Sequence, residues 1–280
     1  LKTDFFTCTH DKGSHRMAYA EWGARSDNPS IICVHGLTRN GRDFDRLAEA
    51  LAAAGRHVIC PDIVGRGKSD WLHQPELYSY GTYAADIMAL LADKKITQVD
   101  WVGTSMGGIL GMMVASAKET PIRRLVINDV GTIIPLVALQ RIATYVALVV
   151  EFADKEQLER YIRQIYEPFG IEREEDWQHM LEHSYRILPN GKLALAHDPA
   201  IAKNFATLKE DVDLWPFYNA IKVPTLVLHG ERSDVLSAAT AEAMTQRGPK
   251  ARLITYQGVG HAPALMNTQQ IGDVIGFLSN

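Results

Sequence analysis

Between residues 17 and 128 the chain alternates short runs rich in β-branched and aromatic residues with longer stretches of helical periodicity. The β-rich runs are 17–22, 31–35, 58–61, 99–103 and 125–128, and between them lie helix-like stretches at 44–54, 83–91 and 106–118. Strands alternating with helices imply βαβ units, because a parallel partner strand can be reached only by a crossover on the face of the sheet. Two more units follow, 223–229 with 238–247 and 252–256 with 268–278. The expected fold class is therefore α/β, with a mostly parallel central sheet flanked by helices.

The middle of the chain breaks that rhythm. Leu139, Ile142, Val146 and Val149 recur at helical spacing, as do Leu158, Tyr161, Ile162 and Ile165, and then Trp177, Leu181, Ser184 and Leu188. Asp154 followed by Gln157 reads as a helix start of capping-box type, and Pro189-Asn190-Gly191 as a turn. The expected organisation is an α/β core over 1–134 and 217–280, with 135–216 inserted as a helical cap. Open α/β sheets bind ligands beyond the carboxyl ends of their strands. An insertion leaving the chain just after 125–128 starts at that end, where it would act as a lid.

Bulk properties narrow the function classes. The net charge of −4 and the lack of a long basic run argue against a nucleic-acid partner. The N-terminal residues lack the apolar core of a signal peptide, and no apolar run is long enough to cross a membrane. The three cysteines, Cys8, Cys33 and Cys60, form no C-x-x-C, and Cys33 and Cys60 sit in apolar runs. Buried reduced thiols and a cytoplasmic location are the expectation. No dinucleotide or P-loop motif occurs, and no His/Cys cluster has metal-ligand spacing, so neither cofactor nor metal is expected. A monomer and a homodimer both remain open.

Gly103-Thr104-Ser105-Met106-Gly107 fits G-x-S-x-G and falls between a strand run and a helix. Ser105 is the candidate nucleophile, and Gly103 and Gly107 allow the tight turn. The N–H of Met106 would supply one oxyanion donor. The second would be the N–H of Leu37, on the loop after 31–35, with Gly36 permitting the turn and His35 stabilising the loop. His261 follows the last strand run and is the candidate base. For the acid that orients it, Asp234 is preferred; it lies on the loop after 223–229, 27 residues before His261. Asp129, closing the run LVIND, is the rival, and Glu231 a third choice.

Five stretches in this order, HGLTRN (35–40), PDIVGRGKSD (61–70), GTSMGG (103–108), HGERSDV (229–235) and GVGHAP (258–263), resemble the α/β-hydrolase fold family over nearly the whole chain. The resemblance implies that Asp62, Gly65, Gly67 and Ser69 brace the first oxyanion loop. Relatives that displace halide or open epoxides carry Asp at the elbow; Ser105 stands there in this chain. The expected activity is a carboxylesterase acting on small or medium apolar acyl esters. One alternative is a carbon–carbon hydrolase of aromatic ring-cleavage products, for which Arg39, Asn40, Arg42 or Arg141 could hold the substrate carboxylate. A second alternative is a ligand-binding receptor with little turnover. Tyr145, Phe152, Tyr161, Trp177, Tyr185, Trp215, Phe217 and Tyr218 offer aromatic surface in or near the cap, and some of them are expected to line an apolar pocket.

Overall fold

A computed structural model describes residues 1–204 and 209–279. Eight strands form the main sheet: β1 (Lys2–His10), β2 (Gly13–Trp22), β3 (Ser30–Val34), β4 (Val58–Pro61), β5 (Val99–Thr104), β6 (Ile122–Asn128), β7 (Thr225–Gly230) and β8 (Arg252–Tyr256). Their spatial order is β1-β2-β4-β3-β5-β6-β7-β8. The pairs from β4 to β8 are parallel; β2 runs antiparallel to both β1 and β4. β3, β5 and β7 are buried at every position or nearly so, as expected of strands covered on both faces.

Strand β1 lies outside the runs expected from sequence. It is an edge strand, exposed or half-buried except at Cys8, so it carries no hydrophobic run for a periodicity reading to find. The helices packed on the sheet are α1 (Asp45–Ala53), α2 (Tyr80–Asp93) and α3 (Met106–Ala115). Helix α3 is apolar on every side and almost wholly buried, since it fills the layer between the sheet and its neighbouring helices.

The segment after β6 holds α4 (Leu136–Val146), α5 (Lys155–Tyr166) and α6 (Glu174–Glu182). At the start of α5, Asp154 accepts the Gln157 N–H (2.8 Å) while the Gln157 side chain accepts the Ala153 N–H (3.1 Å), a reciprocal cap. The segment is not purely helical. A three-stranded sheet joins Glu151–Phe152, Leu193–Leu195 and Tyr185–Ile187, with the turn at 189–191 closing its hairpin. Strands of two or three residues are too short to show a period of two, which is why the sequence reads there as helix and turn. Phe152, Leu158, Ile162, Tyr166, Met180, Leu181 and Leu193 form a hydrophobic cluster of their own with Met266. At its root, Ile133–Ile134 pairs antiparallel with Val212–Asp213. The chain then returns to the core through α7 (Trp215–Ala220), α8 (Ala238–Gln246) and α9 (Thr268–Ser279). Residues 205–208, inside the expected cap span, lie outside the described residues, as does residue 280 of the expected core.

The chain reverses its winding direction at β3, with β4 on one side and β5 on the other. The loops after β3 and β5 therefore diverge and leave a crevice above the sheet. Both expected oxyanion loops and Ser105 sit at that crevice. There α3 comes so close to β3 that a Cβ on Gly107 would collide with the Val34 carbonyl, a backbone group of a central strand. Gly107→Ala is expected to lose about 3 kcal/mol of stability or more, seen as a fall in Tm. An unchanged Tm would show that the helix can move away from β3.

Candidate active site

Ser105 stands between β5 and α3 with φ 51° and ψ −110°, outside the comfortable region for a side-chain-bearing residue. Three bonds hold it there. Its N–H donates to the Asn128 carbonyl at the end of β6 (2.9 Å), its carbonyl accepts the Gly108 N–H (2.8 Å), and the Trp101 indole N–H donates to the Gly107 carbonyl (2.9 Å). Strain at the serine is thus offset by a fully buried strand and helix on either side.

His261 lies on the loop after β8. Its Nε2 is 2.9 Å from Ser105 Oγ, and its Nδ1 is 2.8 Å from an oxygen of Asp129. The loop is tied down from three directions. Gly260 N–H donates to Pro168 O (2.7 Å), Ala264 N–H to Phe169 O (3.1 Å), and the Asn128 side chain to Pro263 O (2.9 Å).

The carboxylate on His261 belongs to Asp129, not to the expected Asp234. Asp129 follows β6 directly and is fully buried. Its N–H bonds the Leu228 carbonyl of β7 (2.8 Å), which sets its side chain beside the β7 end. There one oxygen accepts the Gly230 N–H (2.7 Å), and the other accepts the Ser233 hydroxyl (2.6 Å) as well as His261 Nδ1–H. Asp234 points away. Its side chain is 52% exposed and pairs with Arg141 of α4 at 2.6 Å. Ser233, one residue earlier, occupies the inward position on that loop. Glu231 accepts the Gly258 N–H (2.9 Å) and does not touch His261.

The loop after β3 carries the other expected donor. Among the described residues no protein acceptor takes up the N–H of Leu37 or of Met106. His35 makes two bonds: Nδ1–H donates to Gly36 O (2.7 Å) and Nε2 accepts the Ile63 N–H (2.9 Å). Burial, aided by the nearby Arg66 and Arg39 charges, pushes its pKa down to about 3. A ring held neutral and bonded at both nitrogens has no free nitrogen with which to take a substrate proton.

The loop 61–70 supports this arrangement. Asp62 accepts the Gly41 N–H (2.7 Å) and the Lys68 N–H (2.8 Å), and Ser69 Oγ accepts the Ala18 N–H (2.8 Å). Sequence reasoning did not single out Arg66, which is 0% exposed. Its Nε–H donates to the Leu37 carbonyl (2.8 Å), and Nη1 donates to the Val64 carbonyl and the Tyr83 hydroxyl (2.8 Å each). Among the described residues no carboxylate forms an ion pair with it. Its charge lies beside the 37–38 peptide, next to the one that carries the Leu37 N–H, and over the ring of Tyr78, whose hydroxyl bonds the buried Asp198. The available signal was an arginine within a glycine-rich loop, which on its own reads as surface.

A cavity of about 490 Å³ opens over Ser105 and His261. Leu37, Ile142, Tyr145, Ile165, Phe169 and Met266 form the apolar part of its lining. Of the eight aromatic residues expected near the cap, Tyr145 lines it. Phe152, Tyr161, Trp177 and Tyr185 pack within the cap cluster, Tyr218 is buried in the core, and Trp215 packs at its margin. Phe217 is exposed. Tyr166 and Phe169 line the cavity in their stead. Arg39 reaches the wall but is bound to Asp43 (2.8 and 2.6 Å) and Ser184 (2.8 Å). Asn40 bonds the His183 carbonyl (2.7 Å), and Arg42 pairs with Asp45. Arg141 and Arg232 stand at the rim.

A cavity over a strained serine hydrogen-bonded to a histidine, itself bonded to a buried carboxylate, makes up the candidate active site. Comparison with known proteins agrees. A family model described as "alpha/beta hydrolase fold" matches residues 29–267, and the chain belongs to that family. It is 37% identical over 276 residues to the 3-hydroxybutyrate-oligomer hydrolase of Cupriavidus necator, covering 95% of this chain and 94% of that one. A solved structure from Rickettsia typhi superposes with a TM-score of 0.93 at 32% identity, covering 100% and 99% of the two chains. An α/β hydrolase from Novosphingobium aromaticivorans does so with a TM-score of 0.86 at 32% identity, covering 99% and 98%. The chain is an α/β-hydrolase enzyme. No helix among the described residues is long and apolar enough to cross a membrane.

Two outcomes follow from this geometry. His35 is neutral in the fold, whereas in the unfolded chain it titrates near 6.5. Stability from the neutral ring is complete above that pH and falls by about 1.4 kcal/mol per pH unit as pH drops from 6.5 toward 3. The half-buried His183 and the buried His197, depressed to about 3 and about 4 chiefly by loss of hydration, add in the same direction. Urea midpoints at pH 7 and pH 5 should therefore differ, with the acid value lower. Asp129→Asn should reduce kcat roughly 10⁴-fold on p-nitrophenyl acetate by imposing the wrong tautomer on His261. Asp234→Asn should leave kcat within a few-fold, and the reverse ranking would restore Asp234 as the acid.

Proposed function

We propose that this enzyme is a serine carboxylesterase. The observation that carries the reading is the hydrogen-bonded chain from Ser105 Oγ through His261 to Asp129 at the floor of the cavity. His261 Nε2 takes the serine proton as Oγ attacks the ester carbonyl carbon. The carbonyl oxygen becomes an oxyanion between the N–H groups of Leu37 and Met106, where the N-terminus of α3 and the buried Arg66 charge both favour negative charge. His261⁺, steadied by Asp129, then gives its proton to the departing alkoxide, which leaves as an alcohol. Water repeats the sequence on the acyl-serine and releases a carboxylic acid. Segment 135–216 serves as the cap that shapes the acyl pocket. Three free buried thiols accord with a reducing compartment such as the cytoplasm.

The substrates proposed are short oligomeric esters of hydroxy acids, by likeness to the Cupriavidus relative. Such an oligomer has an apolar body and ends in a carboxylate. The apolar part of the cavity lining suits the body. Arg232 at the rim is exposed and has no ion-pair partner among the described residues, which suits the carboxylate. Arg141 is less available, being held by Asp234.

The test compares a 3-hydroxybutyrate trimer, its methyl ester, p-nitrophenyl butyrate and a ring-cleavage dienoic ketone. A charge-assisted contact predicts about tenfold higher kcat/KM for the free acid than for the methyl ester. Arg232→Gln should close that gap through KM. Equal rates would remove the hydroxy-acid assignment and leave a general esterase. Preference for the dienoate would favour carbon–carbon cleavage. Labelling of Ser105 by a fluorophosphonate without turnover of any substrate would indicate a receptor.

A further inference from the structure

A second cluster of reactive side chains lies at the far edge of the sheet, where the hydrolase chemistry has no use for it. On β1, Cys8 and His10 are two residues apart and so share a face; on β2, His15 pairs directly across from Cys8. All three face Asp86, which α2 presents from below. Asp86 is 1% exposed and contacts the two imidazoles with separate oxygens, His10 Nε2 at 2.7 Å and His15 Nε2 at 2.8 Å. The donor atoms of Cys8, His15 and Asp86 all lie within 4.8 Å of one another. The His10 and His15 rings stack at 5.4 Å. Among the described residues no lysine or arginine forms an ion pair with this buried carboxylate, so it faces only the two histidines and the Cys8 thiol. An open groove lined by His10, His15, Asp70, Trp71 and His73 runs to the cluster and gives a path from solvent.

We propose that Cys8, His15 and Asp86, with His10 as the fourth donor from the solvent side, bind a divalent ion of the zinc class. The donor set decides the class. One thiolate, imidazoles and a single carboxylate suit zinc or cobalt, whereas calcium and magnesium require oxygen ligands. A tetrahedral zinc ion needs neighbouring donors about 3.3–3.7 Å apart; Cys8, His15 and Asp86 reach this by closing slightly, whereas His10, outside that set, must swing in from the solvent side. Binding releases the Cys8 thiol proton to solvent. Each imidazole now donates Nε2–H to Asp86, so ligation through Nε2 moves that proton to Nδ1; because thiol and imidazoles must bind in their unprotonated forms at the ligating atom, affinity falls as pH drops. Four strand spacings separate β1 from β5, roughly 19 Å, so the ion would act on structure, fastening the edge hairpin to α2. The sequence hides the site because C-x-H-x₄-H matches no zinc spacing until the hairpin folds and α2 contributes its aspartate.

The full chain, stripped with a chelator and reduced, should be titrated with Co²⁺. One equivalent should bind, with a thiolate-to-cobalt charge-transfer band in the near ultraviolet and tetrahedral bands in the visible. Zn²⁺ should displace it and raise Tm. Cys8→Ser should abolish the charge-transfer band, and Cys8→Ser and His15→Gln should each weaken Zn²⁺ binding by at least about tenfold in a chromophoric competition assay. Circular dichroism establishes that each variant is folded, and His10→Gln, at the rim, provides a milder substitution with the same expected direction. Three results would overturn the proposal. The first is no charge-transfer band with the wild-type chain. The second is a band that survives in Cys8→Ser. The third is binding lost in His183→Gln instead, which would move the ion to Asp45, His179 and His183, the other cluster whose donors converge.

Discussion

Two amide-to-carbonyl bonds carry the parallel ladder one step past the ends of the strands: Ser105 to Asn128 and Asp129 to Leu228. Because β5, β6 and β7 are adjacent and in register, each bond fixes the first residue beyond a strand relative to the next strand over. Serine and aspartate are thereby set on neighbouring positions of one rim without help from any flexible loop. Only the histidine arrives on a longer loop, and that loop is pinned by Pro168 and Phe169 on one side and by Asn128 on the other. The geometry of the whole candidate site follows from strand register, which the buried, fully paired centre of the sheet does not allow to slip.

The charges around this rim divide into two kinds. Most arginines near the cavity are neutralised, Arg39 by Asp43, Arg42 by Asp45 and Arg141 by Asp234. Arg66 is not, and its guanidinium is satisfied by carbonyls, a phenol and aromatic faces. Burying a cation with only neutral partners is expensive. It is sustained by hydrogen bonds to two carbonyls and a phenol. His35 shows the field of this cation, since the positive charge of Arg66 is one of the causes that keep its ring neutral.

The fold was largely legible in the sequence, because strand runs alternating with amphipathic stretches leave few other architectures. The exceptions share a cause. Strand β1 and the small sheet of the cap are half-exposed or only two to three residues long, so neither prints a usable period. At the site, Ser105 and His261 were legible from their place between a strand and a helix. The acid was not. Asp129 and Asp234 both follow strand runs, and a sequence does not say which of two neighbouring strand ends leans toward a third loop. A one-residue difference decides it: Ser233 turns inward, so Asp234 turns out to solvent. Arg66 was hidden for a different reason, since nothing local distinguishes an arginine that folds inward from one that stays in water.

The donors assigned to the oxyanion are main-chain groups, at Leu37 and Met106. A peptide N–H is present whatever side chain the residue bears, so point substitution at those two positions cannot delete the function. Vulnerability is displaced to residues that govern the path of the backbone: Gly107 against Val34, Trp101 on the Gly107 carbonyl, and Arg66 on the Leu37 carbonyl. The side chain at 37 lines the cavity, whereas that at 106 is packed in the core against Arg66.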